Sequence, residues 1–144
     1  MKRTSEEFWN WYHDECLKLE GSYEVRAEAM KKMLSDYYHE MEVGDRAHVM
    51  MWSDIYPVTI LRKTATTLTV RRDKATLDPN WKPDWIIGGF SAHCTNNEDQ
   101  EWIIEEDPDG EIEVFRWSKR LNCFKDKSDC KLLPGWKKFH DYNF

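Results

Sequence analysis

A chain of 144 residues is long enough to bury one core, and 40% apolar content with eight Trp, six Tyr and six Phe excludes a disordered polymer. The net charge of −6 excludes a general binder of DNA or RNA duplexes, which needs a basic surface to displace counterions. The longest apolar run is far short of the ~20 residues of a membrane span. Glu6, Glu7, Asp14 and Glu15 interrupt residues 1–20, so no secretory signal is expected either, and a cytoplasmic location follows.

Residues 1–42 read as a helical hairpin. Thr4 and Glu7 form a capping-box pattern, and Phe8, Tyr12, Cys16 and Leu19 recur at helical spacing until Gly21-Ser22 ends the first helix. Tyr23, Ala27, Met30, Leu34, Tyr37 and Met41 mark the apolar face of a second helix, with Arg26, Lys31, Lys32, Asp36 and Glu40 opposite. Two such stripes need the β part, each other or another copy of the chain to cover them.

After a turn at Val43-Gly44-Asp45 the period changes from 3.6 to 2. Residues 46–52, 56–63 and 66–72 are predicted as three short antiparallel strands. Pro79, Pro83 and Gly88-Gly89 break any regular pattern across residues 76–99, but Trp81, Trp85 and Phe90 indicate a packed segment that is functional or hides short elements. Residues 100–106 and 111–118 are predicted as a hairpin about Asp107-Pro108-Asp109-Gly110, and a last short strand is predicted near residues 131–133. The expected fold is α+β: one domain over residues 1–144, two N-terminal helices packed on a small, curled antiparallel sheet or partial barrel formed by the mainly β residues 43–144.

The four cysteines, Cys16, Cys94, Cys123 and Cys130, form no C-x-x-C pair and read as reduced, apolar thiols. A zinc site from His93, Cys94, Cys123 and Cys130 is chemically conceivable, but adjacent His93 and Cys94 fit one tetrahedron poorly. No nucleophile-elbow, phosphate-loop, dinucleotide or zinc-protease motif is present, so neither catalysis nor a cofactor or metal is expected.

The charge is uneven. Residues 46–94 carry seven Lys and Arg against four Asp and Glu, while both flanking segments are acidic, so a local anion pocket fits the middle of the chain. Two groups of residues suit a nucleotide. In Arg71-Arg72-Asp73-Lys74, alternation puts Arg71 and Asp73 on one face, an arginine fork for phosphate and a carboxylate for ribose hydroxyls. In Phe115-Arg116-Trp117-Ser118-Lys119-Arg120, Phe115 and Trp117 share a face and Arg116 lies opposite, so rings can stack a base while cations hold a phosphate. Trp52 is a third candidate stacking platform. Against this, the rings can be core and the cations a solvated face.

Val43-Gly44-Asp45-x-Ala47, Trp52-Ser53-Asp54, Thr69-Val70-x-x-Asp73-Lys74-Ala75, Asp107-Pro108-Asp109-Gly110 and Asp141-Tyr142-Asn143-Phe144 together resemble small proteins of phages and prophages of gut Firmicutes. Within them the chain is most similar, over roughly residues 41–144, to the phage Thoeris anti-defence family. Ile55 departs from the commoner pattern, in which a basic residue follows Trp-Ser-Asp. The resemblance implies a homo-oligomeric sponge that binds a cyclic ADP-ribose signal, and in some members cyclic oligonucleotides, without cleaving it. The alternative is an acidic inhibitor that binds a host defence protein directly.

Overall fold

The capping box expected at Thr4 is formed in the computed structural model, which describes residues 3–88 and 91–143 and the backbone alone at Ser91. Thr4 Oγ1 accepts the Glu7 N–H at 3.1 Å and Glu7 Oε2 accepts the Thr4 N–H at 2.9 Å, which starts helix α1 (Ser5–Lys18). Ser22 caps α2 (Tyr23–His39) in the same way, its hydroxyl accepting the Val25 N–H at 3.3 Å. The helices meet where Phe8, fully buried, packs against Tyr37 with ring centroids 3.7 Å apart. Arg3 clasps that junction, lying over the Trp11 ring at 4.6 Å and pairing with Glu40.

Six antiparallel strands form a closed barrel. They are β1 (Arg46–Met50), β2 (Ile55–Lys63), β3 (Thr67–Arg72), β8 (Ile112–Ser118), β9 (Cys123–Lys125) and β10 (Lys131–Pro134). Around the barrel the order is β1-β10-β9-β8-β3-β2, closed by Val49 opposite Leu132. Alternation fills the interior: Val49, Val58, Ile60, Leu68, Val70, Phe115, Phe124 and Leu132 are buried in one cluster. Met41, just beyond α2, joins that cluster, with Tyr38 packed against it, so the C-terminal end of α2 plugs one end of the barrel. The α+β expectation, two helices on a small curled antiparallel sheet, therefore holds.

Outside the barrel, β4 (Lys74–Leu77) pairs with β7 (Trp102–Glu105), and β5 (Trp85–Gly88) pairs with β6 (Ser91–Cys94). A short 3₁₀ turn (Asn97–Asp99) precedes β7. The irregular stretch expected over residues 76–99 thus hides short elements; Gly89 and Phe90 within it, and Phe144 of the terminal motif, lie outside the described residues.

One expectation is corrected. Residues 100–106 and 111–118 do not form a hairpin: β7 pairs with β4, and β8 pairs with β3 and β9. The turn between them does form, with the Gly110 N–H on the Asp107 carbonyl at 3.0 Å, but it hands the chain from one sheet to another. Among the described residues no helix is long and apolar enough to cross a membrane, and no group of three or more His, Cys, Asp or Glu side chains is placed to hold a metal. Cys94, Cys123 and Cys130 are buried free thiols.

Candidate functional site

Asp73 stands where β3 ends and the chain bends into β4, with its side chain fully buried. It accepts hydrogen bonds from Thr59 Oγ1 at 2.5 Å, Trp136 Nε1 at 2.9 Å and Arg71 Nη2 at 3.4 Å. Arg71 is only 17% exposed and also lies 3.9 Å from Glu106. Arg46 covers the same centre, its guanidinium 3.7 Å above the Trp136 ring and 3.6 Å from Glu106. The structure therefore brings Arg71 and Asp73 together as the sequence implies, inside a network of the protein's own groups in which the buried Arg71 Nε–H has no hydrogen-bond partner among the described residues. The network ties β2, β3, the β4–β7 sheet and the C-terminal segment together, with the Asp73 carboxylate turned wholly inside it.

Phe115 is corrected more simply. It does share a face with Trp117, and that face is the barrel interior: Phe115 is 0% exposed and cannot stack on anything that enters from solvent.

Trp117 and Arg116 have a different environment. Trp117 sits at the α2 end of β8, half-buried, with its ring 4.2 Å from the His39 ring and 5.0 Å from that of Phe124. Its register partner is Phe124, so the indole is held at the rim of the barrel between α2 and β9. The turn joining β8 to β9 is fixed by Asn122, which takes φ 54° and donates its amide to the Lys31 carbonyl at 3.1 Å. That bond holds α2 beside the strand pair.

Two depressions open on either side of this indole. One, of about 380 Å³, is bounded by Val114, Arg116, Trp117, Lys125, Asp126 and Lys127. The other, of about 290 Å³, is bounded by Glu28, Lys31, Lys32, Ser35, Trp117 and Lys119. Six cations thus line the two depressions that Trp117 borders, beside the carboxylates of Glu28 and Asp126. Lys32 is held by Asp36 at 2.8 Å, and Lys125 pairs with Asp129, whose carboxyl is held below its usual range by the Lys125 ammonium and more weakly by Arg120. Among the described residues Lys31, Arg116, Lys119 and Lys127 have no carboxylate within ion-pair distance. In a chain of net charge −6, this is a local reversal of sign around a partly accessible aromatic face.

Sequence reasoning missed Lys31, Lys32, Lys125 and Lys127. The only signal for the first two was their place on the polar face of α2; that this face lies beside β8 depends on tertiary packing. Trp52, at the β1–β2 turn, is 93% exposed beside Met50, Met51 and a depression of about 340 Å³ that reaches Phe139. It belongs to neither of the other clusters. The strand register places it at the end of β1 remote from α2.

No family model, curated protein or solved structure matches this chain.

Proposed function

We propose that this protein binds a cyclic nucleotide signal in the groove around Trp117 and sequesters it without cleavage. The observation that carries the reading is the set of four cations that have no ion-pair partner among the described residues and line two depressions bordered by one half-buried indole. Arg116 offers a planar fork to a phosphate, Lys31, Lys119 and Lys127 add point charges, and Trp117 offers a ring edge and face to a base. Base stacking on an aromatic side chain contributes about 1–3 kcal/mol. The short sequence blocks that resemble the phage Thoeris anti-defence family support the same reading, and with them a cyclic ADP-ribose isomer or a cyclic oligonucleotide as the ligand. In this reading the protein acts as a homo-oligomer in the cytoplasm of an infected or lysogenic bacterial cell. Each site captures its ligand once, so sequestration depends on slow release and not on turnover.

The test is incubation of the purified protein with cyclic ADP-ribose isomers and cyclic di- and trinucleotides, then filtration and chromatography before and after heating. Depletion of one ligand followed by its intact recovery is the expected result. Ligand left free in every case abandons the reading, and recovery of an altered ligand makes the protein an enzyme.

A second reading, an inhibitor that binds a host defence protein directly, is favoured by the apolar side chains turned to solvent: Trp52 at the β1–β2 turn and Ile87 of β5, 90% exposed. Stoichiometric capture of one host protein, lost on Trp52→Ser or Ile87→Ser, would support it.

A further inference from the structure

The end of the barrel away from α2 carries a second pair of cations. Arg72 closes β3, and the β2–β3 register sets it opposite Val58. Past Asp73 the chain leaves the barrel, and the C-terminal segment takes its place beside β2: Ile55 and Phe139 exchange backbone hydrogen bonds at 2.9 and 3.1 Å. That bridge sets Lys138 next to Tyr56, so the two cations flank one tyrosine. Each also rests on an aromatic ring. The Arg72 guanidinium lies 4.1 Å from the centre of the Tyr56 ring, and Lys138 Nζ lies 5.3 Å from that of Trp102.

Neither cation has a carboxylate within ion-pair distance among the described residues. Glu113 lies nearby and is held by Tyr56, its Oε2 accepting the Tyr56 hydroxyl at 2.8 Å. Burial lowers the Lys138 ammonium below its ordinary range, and repulsion from Arg72 lowers it further, against a smaller opposing pull from Asp54. Two like charges that repel each other, each held on a ring and with no carboxylate at ion-pair distance among the described residues, favour an anion that enters between them.

We infer that Arg72, Lys138 and the rings of Tyr56 and Trp102 form an anion site for the phosphoryl group of a small phosphorylated molecule. The arginine supplies a bidentate fork, the lysine a movable point charge, and the ring beneath each cation fixes its position before the anion arrives. The site does not depend on the Trp117 groove. Glu113, which holds Tyr56, and Trp117 are four residues apart on β8, roughly 13 Å along the strand.

The experiment is titration of the full chain with inorganic pyrophosphate at constant ionic strength, with sodium chloride as the control, followed by NMR of the tryptophan indole resonances and by calorimetry. The expected result is a saturable shift of the Trp102 indole with pyrophosphate and none with chloride. Arg72→Gln and Lys138→Gln should each weaken the binding read at the Trp102 indole about tenfold. If either variant fails to fold, the wild-type Trp102 shift decides alone. A shift equal to that with chloride, or binding kept in the folded Arg72→Gln and Lys138→Gln proteins, overturns the site. A pyrophosphate response confined to Trp117 and removed by Arg116→Gln also overturns it, and leaves the Trp117 groove intact as the anion site.

Discussion

Two arginines that look equivalent in the sequence have different surroundings in the structure, Arg71 in a buried network and Arg116 exposed, and two substitutions separate them. Asp73→Ala removes the acceptor shared by Arg71, Thr59 and Trp136; Trp136 keeps the Val58 carbonyl at 3.1 Å, but Thr59 loses its partner inside the protein. Each buried polar group left without a partner costs about 1–3 kcal/mol, so a loss near 3 kcal/mol in urea unfolding is expected. Arg116→Gln changes an exposed side chain and should leave stability within about 0.5 kcal/mol, while on the proposed function it lowers affinity for a cyclic nucleotide about tenfold, as loss of one charge-assisted contact implies. Loss of stability without loss of affinity in Arg116→Gln would move the site elsewhere. A third residue links stability to pH. His48 is buried with Nδ1 2.8 Å from the Gly135 carbonyl; burial lowers its proton affinity, the bond to Gly135 opposes this, and Lys137 adds to the lowering. The unfolded chain then binds a proton more readily than the folded one. Stability from this group is complete above the ordinary value of 6.5 and is lost as pH falls from there toward the lowered folded value. Between pH 7.5 and 5, His48→Gln should lose less stability than the parent protein, and equal losses would exclude His48 as a contributor.

At the scale of elements, Gly110 shows why the hairpin expectation failed. Its local signals are sound: the Asp107–Gly110 turn forms, and strands flank it. Period-2 alternation says that a segment is a strand but does not name its neighbour, and here the two flanks do not pair with each other: β7 pairs with β4, and β8 with the remote β3 and with β9, the strand that follows it. Tertiary packing at the turn is tight. A Cβ built on Gly110 would lie 1.9 Å from the Arg72 carbonyl oxygen, a backbone atom fixed by the β2–β3–β8 pairing. Gly110→Ala should therefore destabilise by about 1–3 kcal/mol through overpacking, seen as a fall of several degrees in Tm, and a neutral effect would mean that the turn can shift away from β3. What could be read along the chain was local: the capping box at Thr4, the three strands from β1 to β3, and the shared face of Phe115 and Trp117. The direction of that face was not legible, because alternation is symmetric until a core is assigned to one side. The three-residue strand β9 was also hidden, being too short for any periodic pattern, yet it supplies Phe124 to the core and Lys125 to the groove.

At the scale of the whole molecule, closure of the barrel bears on the proposed sequestration. β1 pairs with β10 and the segment beyond β10 bridges back to β2, so the first strand and the C-terminal segment are held in one closed structure. The rim that carries Trp117 is thereby positioned before a ligand arrives, and little ordering entropy opposes binding. A ligand that binds only the folded state stabilises it by an amount that grows with the logarithm of its concentration, about 2.7 kcal/mol at one hundred times Kd. For a chain of this length that corresponds to a Tm increase of roughly 5–10 °C. The expected outcome is therefore a saturable occupancy at one ligand per Trp117 groove and a Tm that keeps rising with free ligand, both measured in the same titration by scanning calorimetry. Arg116→Gln should shift that rise to about tenfold higher ligand, while the Tm without ligand stays where it was. A Tm that does not respond to any cyclic nucleotide at millimolar concentration would remove nucleotide capture as the role of the groove, because a binding energy too small to stabilise the fold is too small to starve a receptor of its signal.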